Sequence, residues 1–131
     1  MSIARSAIAV LLSLAGLWAP RATAETPERV TITLAMNEYR FAPARLVFRK
    51  GVHYRLLLEN HGTELHQFTA PGFLGDIVIA NPEILRPASK DIVLAAHERK
   101  ELLFTAPNAG RFPLTCADHD WAGMIGEIVV E

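Results

Sequence analysis

The sequence predicts an all-β fold, an antiparallel Greek-key β-sandwich of seven to eight strands. Three observations support this prediction. Apolar and polar residues alternate over much of residues 30–131, turn residues separate the alternating runs at short intervals, and no long amphipathic helical pattern is present. The predicted fold comprises about 107 residues, because the first 24 are assigned to a leader below. This length is enough for one hydrophobic core and too short for two domains.

Residues 1–24 are predicted to be a secretory signal peptide that lies outside the fold. Arg5 gives a positive start, residues 7–19 form an apolar run, and the small residues at 22–24 suit a cleavage site. Because a membrane span needs about 20 apolar residues, the run favours a cleaved leader over the alternative, an uncleaved anchor. Residues 25–131 would then form an exported, periplasmic domain.

The charge balance excludes two classes of partner. The chain has 13 basic and 14 acidic residues, and the leader holds two of the arginines and no acid. The exported part therefore keeps 11 basic and 14 acidic residues, a net charge of −3 with histidine neutral. It has neither a basic surface for nucleic acid nor an acidic tail. We expect a monomer with no nucleic-acid partner and no membrane span after cleavage.

Four strands are predicted in the first half of the domain. They cover residues 30–34, 45–51, 53–62 and 65–72. In the first, Val30, Ile32 and Leu34 alternate with threonines, which indicates a strand with one buried face. The fourth is short because Pro71 and Gly72 close it.

Four further strands are predicted after an irregular connection at residues 75–89, which contains two prolines. They cover residues 91–96, 98–107, 110–116 and 124–131. Side chains alternate between the two faces of a strand, so Cys116 shares the core-facing side with Phe112 and Leu114. Met124 faces inward on the following strand for the same reason. Two sulfur-bearing side chains are thus expected at inward-facing strand ends.

The loop TCADHDWAGM, residues 115–124, contains the only cysteine in the chain, followed by His119 and Met124. Exported domains usually carry cysteines in pairs, as disulfides. A solitary Cys116 must therefore be a buried thiol, an intermolecular bridge or a metal-held thiolate. The histidine and the methionine beside it favour the metal. His66, on the apolar face of the fourth strand, is the predicted donor from the first half of the chain.

Two imidazoles and a thiolate in a trigonal arrangement, with a long axial thioether, form a blue-copper site. The predicted ligands are His66, Cys116, His119 and Met124. Zinc could use the thiolate and the imidazoles, but a thioether is a poor zinc ligand and structural zinc prefers more cysteines. The set therefore favours one type 1 copper ion. The remaining histidines are expected to be solvated: His53, His61 and His97.

The stretch NHGTELHQF, followed some fifty residues later by FPLTCADHDWAGMIGEIVV, resembles the cupredoxin family, in particular its plastocyanin and pseudoazurin type. The resemblance covers residues 31–131. It implies a Greek-key β-sandwich (cupredoxin-like) that holds one type 1 copper, with the family's ligands on the four positions given above.

Three features depart from the family pattern. Gln67 stands where an asparagine often ties the two ligand-bearing loops together. The stretch GFLGDIVIANPEILRPASK, residues 72–90, is longer and less regular than in the smallest members. Acids flank His119 where electron carriers often keep an apolar docking rim, which Trp121 could restore unless its ring packs over the loop.

The leading functional hypothesis is a periplasmic one-electron carrier that exchanges electrons with a redox protein partner. Electron transfer of this kind makes or breaks no bond in a substrate, so we do not expect the protein to be an enzyme. The alternative is a copper tolerance or delivery protein that passes the ion to a copper-accepting protein, which Asp118 and Asp120 favour. A third hypothesis is a metal-free sandwich used for protein contacts. Binuclear copper centres and multicopper oxidases need a second cysteine or further histidine pairs, and the sequence contains neither.

Overall fold

The computed structural model describes residues 18–131. Most of the apolar run of the predicted leader, at residues 7–19, lies outside the described residues. Residues 18–29 form neither helix nor strand and are almost entirely exposed. In the part of the chain that is described, none of the helices combines the length and apolar character needed to cross a bilayer.

Between residues 18 and 131 the chain forms ten strands and one short α-helix. The strands are β1 (Val30–Asn37), β2 (Arg40–Ala42), β3 (Arg45–Phe48), β4 (His53–Asn60), β5 (His66–Phe68), β6 (Val78–Ile79), β7 (Ile92–Leu94), β8 (Arg99–Thr105), β9 (Gly110–Thr115) and β10 (Ile125–Val130). The helix is α1 (Pro71–Asp76), and single 3₁₀ turns lie at Pro82–Ile84 and Asp120–Ala122.

Two sheets and a two-stranded ladder enclose the core. The first sheet has the order β2-β1-β4-β8-β6, the second has the order β3-β10-β9, and β5 pairs with β7. Thr69 and Thr115 connect that pair to β9, because the N–H of each donates to the carbonyl of the other at 3.0 and 2.9 Å. The strand that begins with His66 is thereby held beside the strand that leads to Cys116.

The predicted all-β sandwich is confirmed, with ten strands instead of the seven or eight expected. The two additional strands, β2 and β6, have three and two residues, too few to produce a visible alternation. The pairing is mixed instead of antiparallel throughout, since β1 runs parallel to β4 and β3 runs parallel to β10. Alternation fixes which face of a strand is buried, but it carries no information on the direction of the neighbouring strand.

The predicted fourth strand is shorter than expected, and a helix follows it. Strand β5 ends at Phe68, and Pro71 opens α1 instead of closing a strand. Proline is well tolerated at the start of a helix because its missing N–H would have no partner there. The connection at residues 75–89 is also more ordered than expected. Asn81 fastens it to β8, donating to the Glu101 carbonyl at 2.8 Å and accepting from the Leu103 N–H at 2.9 Å.

The centre of the core is an aromatic cluster around Phe48, which is fully buried. Its ring lies 4.9 Å from that of Tyr54, 5.0 Å from that of Phe104 and 5.8 Å from that of Phe73. These residues come from β3, β4, β8 and α1, so the cluster packs both sheets and the helix against each other.

Asp91 is a buried carboxylate immediately before β7. Arg86 donates to it twice, from Nε to Oδ1 and from Nη2 to Oδ2, each at 2.7 Å, and the Ser89 hydroxyl donates to Oδ1. The hydrogen bonds from Arg86, followed by that from Ser89, hold the pKa of Asp91 below its usual range. Since the folded state has the lower pKa, ionised Asp91 stabilises the fold above the unfolded pKa of about 3.9. That stability is lost as the pH falls through the folded-state pKa.

Asp91→Asn is therefore expected to lower the free energy of unfolding by about 2 kcal/mol at pH 7, with a difference from wild type that shrinks below about pH 4. Urea unfolding of the metal-free protein at several pH values measures this. Glu101→Gln is the control, because Glu101 forms only an exposed pair with Arg55 at 3.6 Å. Parallel stability curves for wild type and Asp91→Asn from pH 7 to pH 3 would contradict the assignment.

Candidate metal centre

Three of the predicted ligands converge at one end of the sandwich. His66 opens β5, Cys116 directly follows β9, and His119 lies in the loop that leads to β10. The Nδ1 atoms of the two imidazoles are 3.3 Å apart, and Cys116 Sγ lies 3.4 Å from His119 Nδ1 and 3.9 Å from His66 Nδ1. All three donor atoms lie within 4.8 Å of one another. Among residues 18–131 no other group of three His, Cys, Asp or Glu side chains converges in this way.

Met124 is fully buried and is joined to this cluster through its backbone. The Cys116 N–H donates to the Met124 carbonyl at 3.1 Å, and the Met124 N–H donates to the His119 carbonyl at 3.3 Å. Gly123 has a φ of 84°, a left-handed conformation that glycine adopts without strain. The turn thus returns the chain to β10 with Met124 paired opposite Cys116.

Gln67 joins the two loops that carry the cluster. Its backbone N–H donates to Cys116 Sγ at 3.4 Å. Its side-chain Oε1 accepts from the Asp118 N–H at 3.0 Å, and its Nε2 donates to Asp118 Oδ2 at 3.0 Å. Gln67 stands where the sequence pattern of the family often has an asparagine, and it still connects the two loops. Asp118 makes this possible because its carboxylate accepts a hydrogen bond and its backbone N–H donates one.

Gln67→Met keeps the size of this side chain and removes its hydrogen bonds to Asp118. We expect the free energy of unfolding of the metal-free protein to fall by about 2 kcal/mol, because a partly buried N–H and a carboxylate lose their partners. Urea unfolding measures the effect, and Thr31→Ala, an exposed change on β1, is expected to alter stability by less than about 0.5 kcal/mol. Equal stability of Gln67→Met and wild type would show that the amide does not hold the loops.

The two imidazoles share one orientation: each directs Nδ1 toward the cluster and Nε2 toward a carboxylate. His119 Nε2 lies 2.9 Å from Glu64 Oε2, and His66 Nε2 lies 3.6 Å from Glu38 Oε1. His66 Nε2 is buried and makes no hydrogen bond to any described residue. Burial, followed by the proximity of His119, lowers the pKa of His66, so this imidazole stays neutral and keeps a lone pair for a metal.

Cys116 is fully buried, and burial raises the pKa of its thiol. The N–H groups of Gln67, Asp118 and His119 lower that pKa in turn, since they favour the thiolate. In the metal-free protein the thiol is therefore the stable form. Cys116 would hold a metal ion as its thiolate, so loss of the thiol proton on binding would couple metal affinity to pH.

Aromatic rings cover the outer side of His119. The ring centroid of Tyr39 lies 4.9 Å from that of His119 and 6.2 Å from that of Trp121, and the Tyr39 hydroxyl donates to Glu64 Oε1 at 3.1 Å. The Trp121 indole N–H donates to the Asp118 carbonyl at 2.9 Å, while its side chain remains 77% exposed. Trp121 therefore both packs over the loop and adds an apolar surface beside it. The side chain of His119 is only 13% exposed.

The remaining histidines lie on the surface and do not join the cluster. His61 pairs with Glu59 at 2.7 Å, and His53 pairs with Thr105 at 2.7 Å. Sequence analysis missed Glu38 and Glu64, which lie beside the two converging imidazoles. Glu38 belongs to no motif, and Glu64 lies in NHGTELHQF without being a predicted ligand. Only the fold brings the turn after β1 to the turn before β5.

A β-sandwich that gathers two imidazoles, a thiol and a buried methionine at one end is the architecture of a mononuclear copper protein, and this donor set fits one copper ion. A family model described as a cupredoxin-like domain matches residues 7–130. The chain belongs to this cupredoxin-like family, as the resemblance of its two motifs implied.

Solved structures with the same fold include three informative cases. Auracyanin B matches with a TM-score of 0.59 and 19% identity, covering 83% of this chain and 93% of that one. Auracyanin A, a "blue" copper protein from the green thermophilic photosynthetic bacterium Chloroflexus aurantiacus, matches with a TM-score of 0.55 and 19% identity, covering 79% and 100%. A multi-copper oxidase from Pseudomonas thermotolerans matches with a TM-score of 0.60 and 17% identity, covering 82% of this chain and 31% of the oxidase. At these identities the likeness concerns the fold, and comparison with curated proteins gave no match.

Proposed function

We propose that the protein is an exported one-electron carrier whose copper ligands are His66, Cys116, His119 and Met124. The observation that carries this proposal is the convergence of two imidazole nitrogens and one thiol within 4.8 Å at the end of a cupredoxin-like sandwich. Bound copper supplies one-electron chemistry, since it alternates between Cu(II) and Cu(I). The fold shared with auracyanin A, a "blue" copper protein, supports the same function.

The chain's own contribution is to hold the donors in one geometry in both oxidation states. The Thr69–Thr115 bridge fixes β5 against β9, Gln67 ties the two loops together, and backbone hydrogen bonds close the turn between Cys116 and Met124. Because the donors are already held close together, electron transfer requires little rearrangement. No substrate bond is formed or broken, so we propose no enzymatic activity.

A redox protein partner would dock where the ligands approach the surface. Apolar side chains are exposed there beside ligands in the sequence or in space: Tyr39, Leu65, Trp121 and Ile125. These side chains would form an apolar docking rim, although acids flank His119 in the sequence. The proposed location is the periplasm, with residues 1–24 as the signal peptide and residues 25–131 as the exported copper-binding domain.

The second candidate function is copper tolerance or delivery with the same ligands. The position of Glu64, 2.9 Å from His119 Nε2, favours it, because it adds a carboxylate to Asp118 and Asp120 near the least buried ligand. Such a cluster of acids could attract copper ions and release them to a copper-accepting protein.

Copper loading followed by redox cycling tests both functions. We expect Cu(II) to produce an intense visible absorption and a type 1 electron paramagnetic resonance spectrum in the 25–131 domain. Repeated reduction and reoxidation in the presence of a Cu(I) chelator then separates the candidates. A carrier keeps its copper and its colour through the cycles, whereas a delivery protein loses Cu(I) to the chelator. A protein that gains no visible absorption with Cu(II) would overturn both functions.

A further inference from the structure

We propose that Glu64 and Glu38 are positioning residues that orient the two imidazoles of the metal centre. Each carboxylate faces the Nε2 atom of one imidazole, Glu64 that of His119 and Glu38 that of His66. In this proposal the carboxylates favour protonation at Nε2, so that both rings would present an unprotonated Nδ1 to a metal ion. This inference deepens the proposed function, since it rests on His66 and His119 being ligands. It assigns a role to two acids that are not among the predicted copper ligands.

The geometry distinguishes the two nitrogens of each ring. Both Nδ1 atoms point into the cluster, 3.3 Å from each other, while both Nε2 atoms point at carboxylates, at 2.9 Å for Glu64 and 3.6 Å for Glu38. A neutral imidazole has one protonated nitrogen and one lone pair, so an acceptor at Nε2 selects the tautomer with a free Nδ1. Carboxylates that hold metal-binding histidines in this way also raise the basicity of the ligand.

His66 shows the need for such a partner most clearly. Its side chain is fully buried, and its Nε2 has no hydrogen bond to any described residue. A buried N–H without an acceptor is destabilising, because it has lost its hydrogen bonds to water. Glu38 Oε1 lies 3.6 Å away, so a movement of a few tenths of an ångström brings the pair to hydrogen-bond distance.

Glu38 is itself held in place by the loop that precedes His66. Its Oε1 accepts the N–H groups of Thr63 and Glu64, the latter at 2.9 Å, and these bonds, that of Glu64 first, lower the pKa of Glu38. Gly62 leaves the space this requires, because a Cβ at that position would lie 2.0 Å from Glu38 Oε1. The carboxylate is thus ionised and fixed beside the buried imidazole.

Glu64 is oriented by Tyr39. The Tyr39 hydroxyl donates to Glu64 Oε1 at 3.1 Å, which leaves Oε2 for His119. This hydrogen bond raises the pKa of Tyr39, so the phenol remains a donor. Because Tyr39 directly follows Glu38 in the chain, the turn between β1 and β2 supports both carboxylates at once.

The two carboxylates would also place negative charge near a copper ion held by the imidazoles. A fixed negative charge interacts more strongly with Cu(II) than with Cu(I), so it stabilises the oxidised state. Glu64→Gln keeps an oxygen that can accept the Nε2–H and removes only the charge. We expect it to shift the ratio of Cu(II) to Cu(I) affinity about tenfold toward Cu(I), which raises the reduction potential by about 59 mV.

The tautomers can be measured without copper. In the metal-free wild-type protein, long-range ¹H–¹⁵N spectra of the imidazoles are expected to show His119 and His66 protonated at Nε2. Glu64→Ala removes the acceptor and is expected to give a mixture of tautomers at His119, while Glu64→Gln keeps the wild-type tautomer. The matched control is Glu101→Gln, which removes an equal charge from the exposed pair with Arg55 and should change neither tautomer nor potential.

Gly62→Ala provides a second variant for Glu38. It displaces the carboxylate sterically without changing the net charge, so it should alter the His66 tautomer as Glu38→Ala does. Wild-type histidines protonated at Nδ1, or tautomers unchanged in Glu64→Ala and Glu38→Ala, would overturn the positioning role. Absence of a coloured copper complex would instead overturn the proposed function, and the spectra of the metal-free protein would still decide the role of the carboxylates.

Discussion

Cys116→Ser is expected to abolish the intense visible absorption of the copper-loaded protein. That absorption requires a thiolate in direct contact with Cu(II), and a serine hydroxyl does not ionise near neutral pH. Soft sulfur also contributes most to binding of Cu(I). Loss of a residue that only hydrogen-bonds to a metal ligand lowers metal affinity about 10- to 100-fold. We expect the loss of the ligand Cys116 itself to lower copper affinity by more than this. Optical titration with Cu(II), and competition with a Cu(I) chelator, measure the two effects.

The fold should survive this change, because serine is close to cysteine in size. Urea unfolding of the metal-free variant checks this, and a loss of about 1–3 kcal/mol is expected for burying the hydroxyl. Thr115→Ser, at the preceding position of the loop, is the matched control and should keep both colour and affinity. If Cys116→Ser gains the same absorption as wild type, the thiol is not a ligand, and a metal-free sandwich becomes the better description.

Phe48→Ala is expected to destabilise the protein by about 3–5 kcal/mol, the largest effect on stability among the substitutions considered. Phe48 is fully buried, and its ring touches aromatic residues from β4, β8 and α1, so its removal leaves a cavity where three elements meet. This loss is a large part of the about 5–15 kcal/mol that stabilises a typical domain. The midpoint of urea unfolding of the metal-free protein gives the measurement.

Val47→Ala is the matched control for Phe48→Ala. Val47 precedes Phe48 on β3 but faces the opposite side of the sheet, where it is 42% exposed. Its truncation should cost less than about 1 kcal/mol. Similar losses for the two variants would mean that the aromatic cluster is not the centre of the core.

The buried faces of the long strands could be predicted because alternation records burial directly. Tyr54, Leu56 and Leu58 alternate with exposed or half-buried neighbours on β4, as their spacing indicates. The meeting of His66 and Cys116 followed from the same rule, since both were expected on core-facing sides at the ends of strands. The side chains of His66 and Cys116 both point into the core at the same end of the sandwich, and this is enough to bring their donor atoms together.

Features that depend on packing between distant segments could not be predicted. Helix α1 has only six residues, including two glycines, and such a helix owes its stability to the burial of Phe73 and Leu74. Glu38 and Glu64 are exposed acids in turns, and the residues next to them do not mark them as partners of the imidazoles. Their position beside the imidazoles arises only because β1 and β4 run parallel, which brings the ends of both strands to the metal-bearing end.

The parallel pairing of β10 with β3 places Glu127 opposite Arg45, while the other edge of β10 pairs with β9. The middle strand of the second sheet is therefore β10, and β3 and β9 are connected in that sheet only through it. A stop codon at Ile125 would release a polypeptide in which β3 and β9 had lost their shared neighbour. Such a truncated protein should be cleared as misfolded.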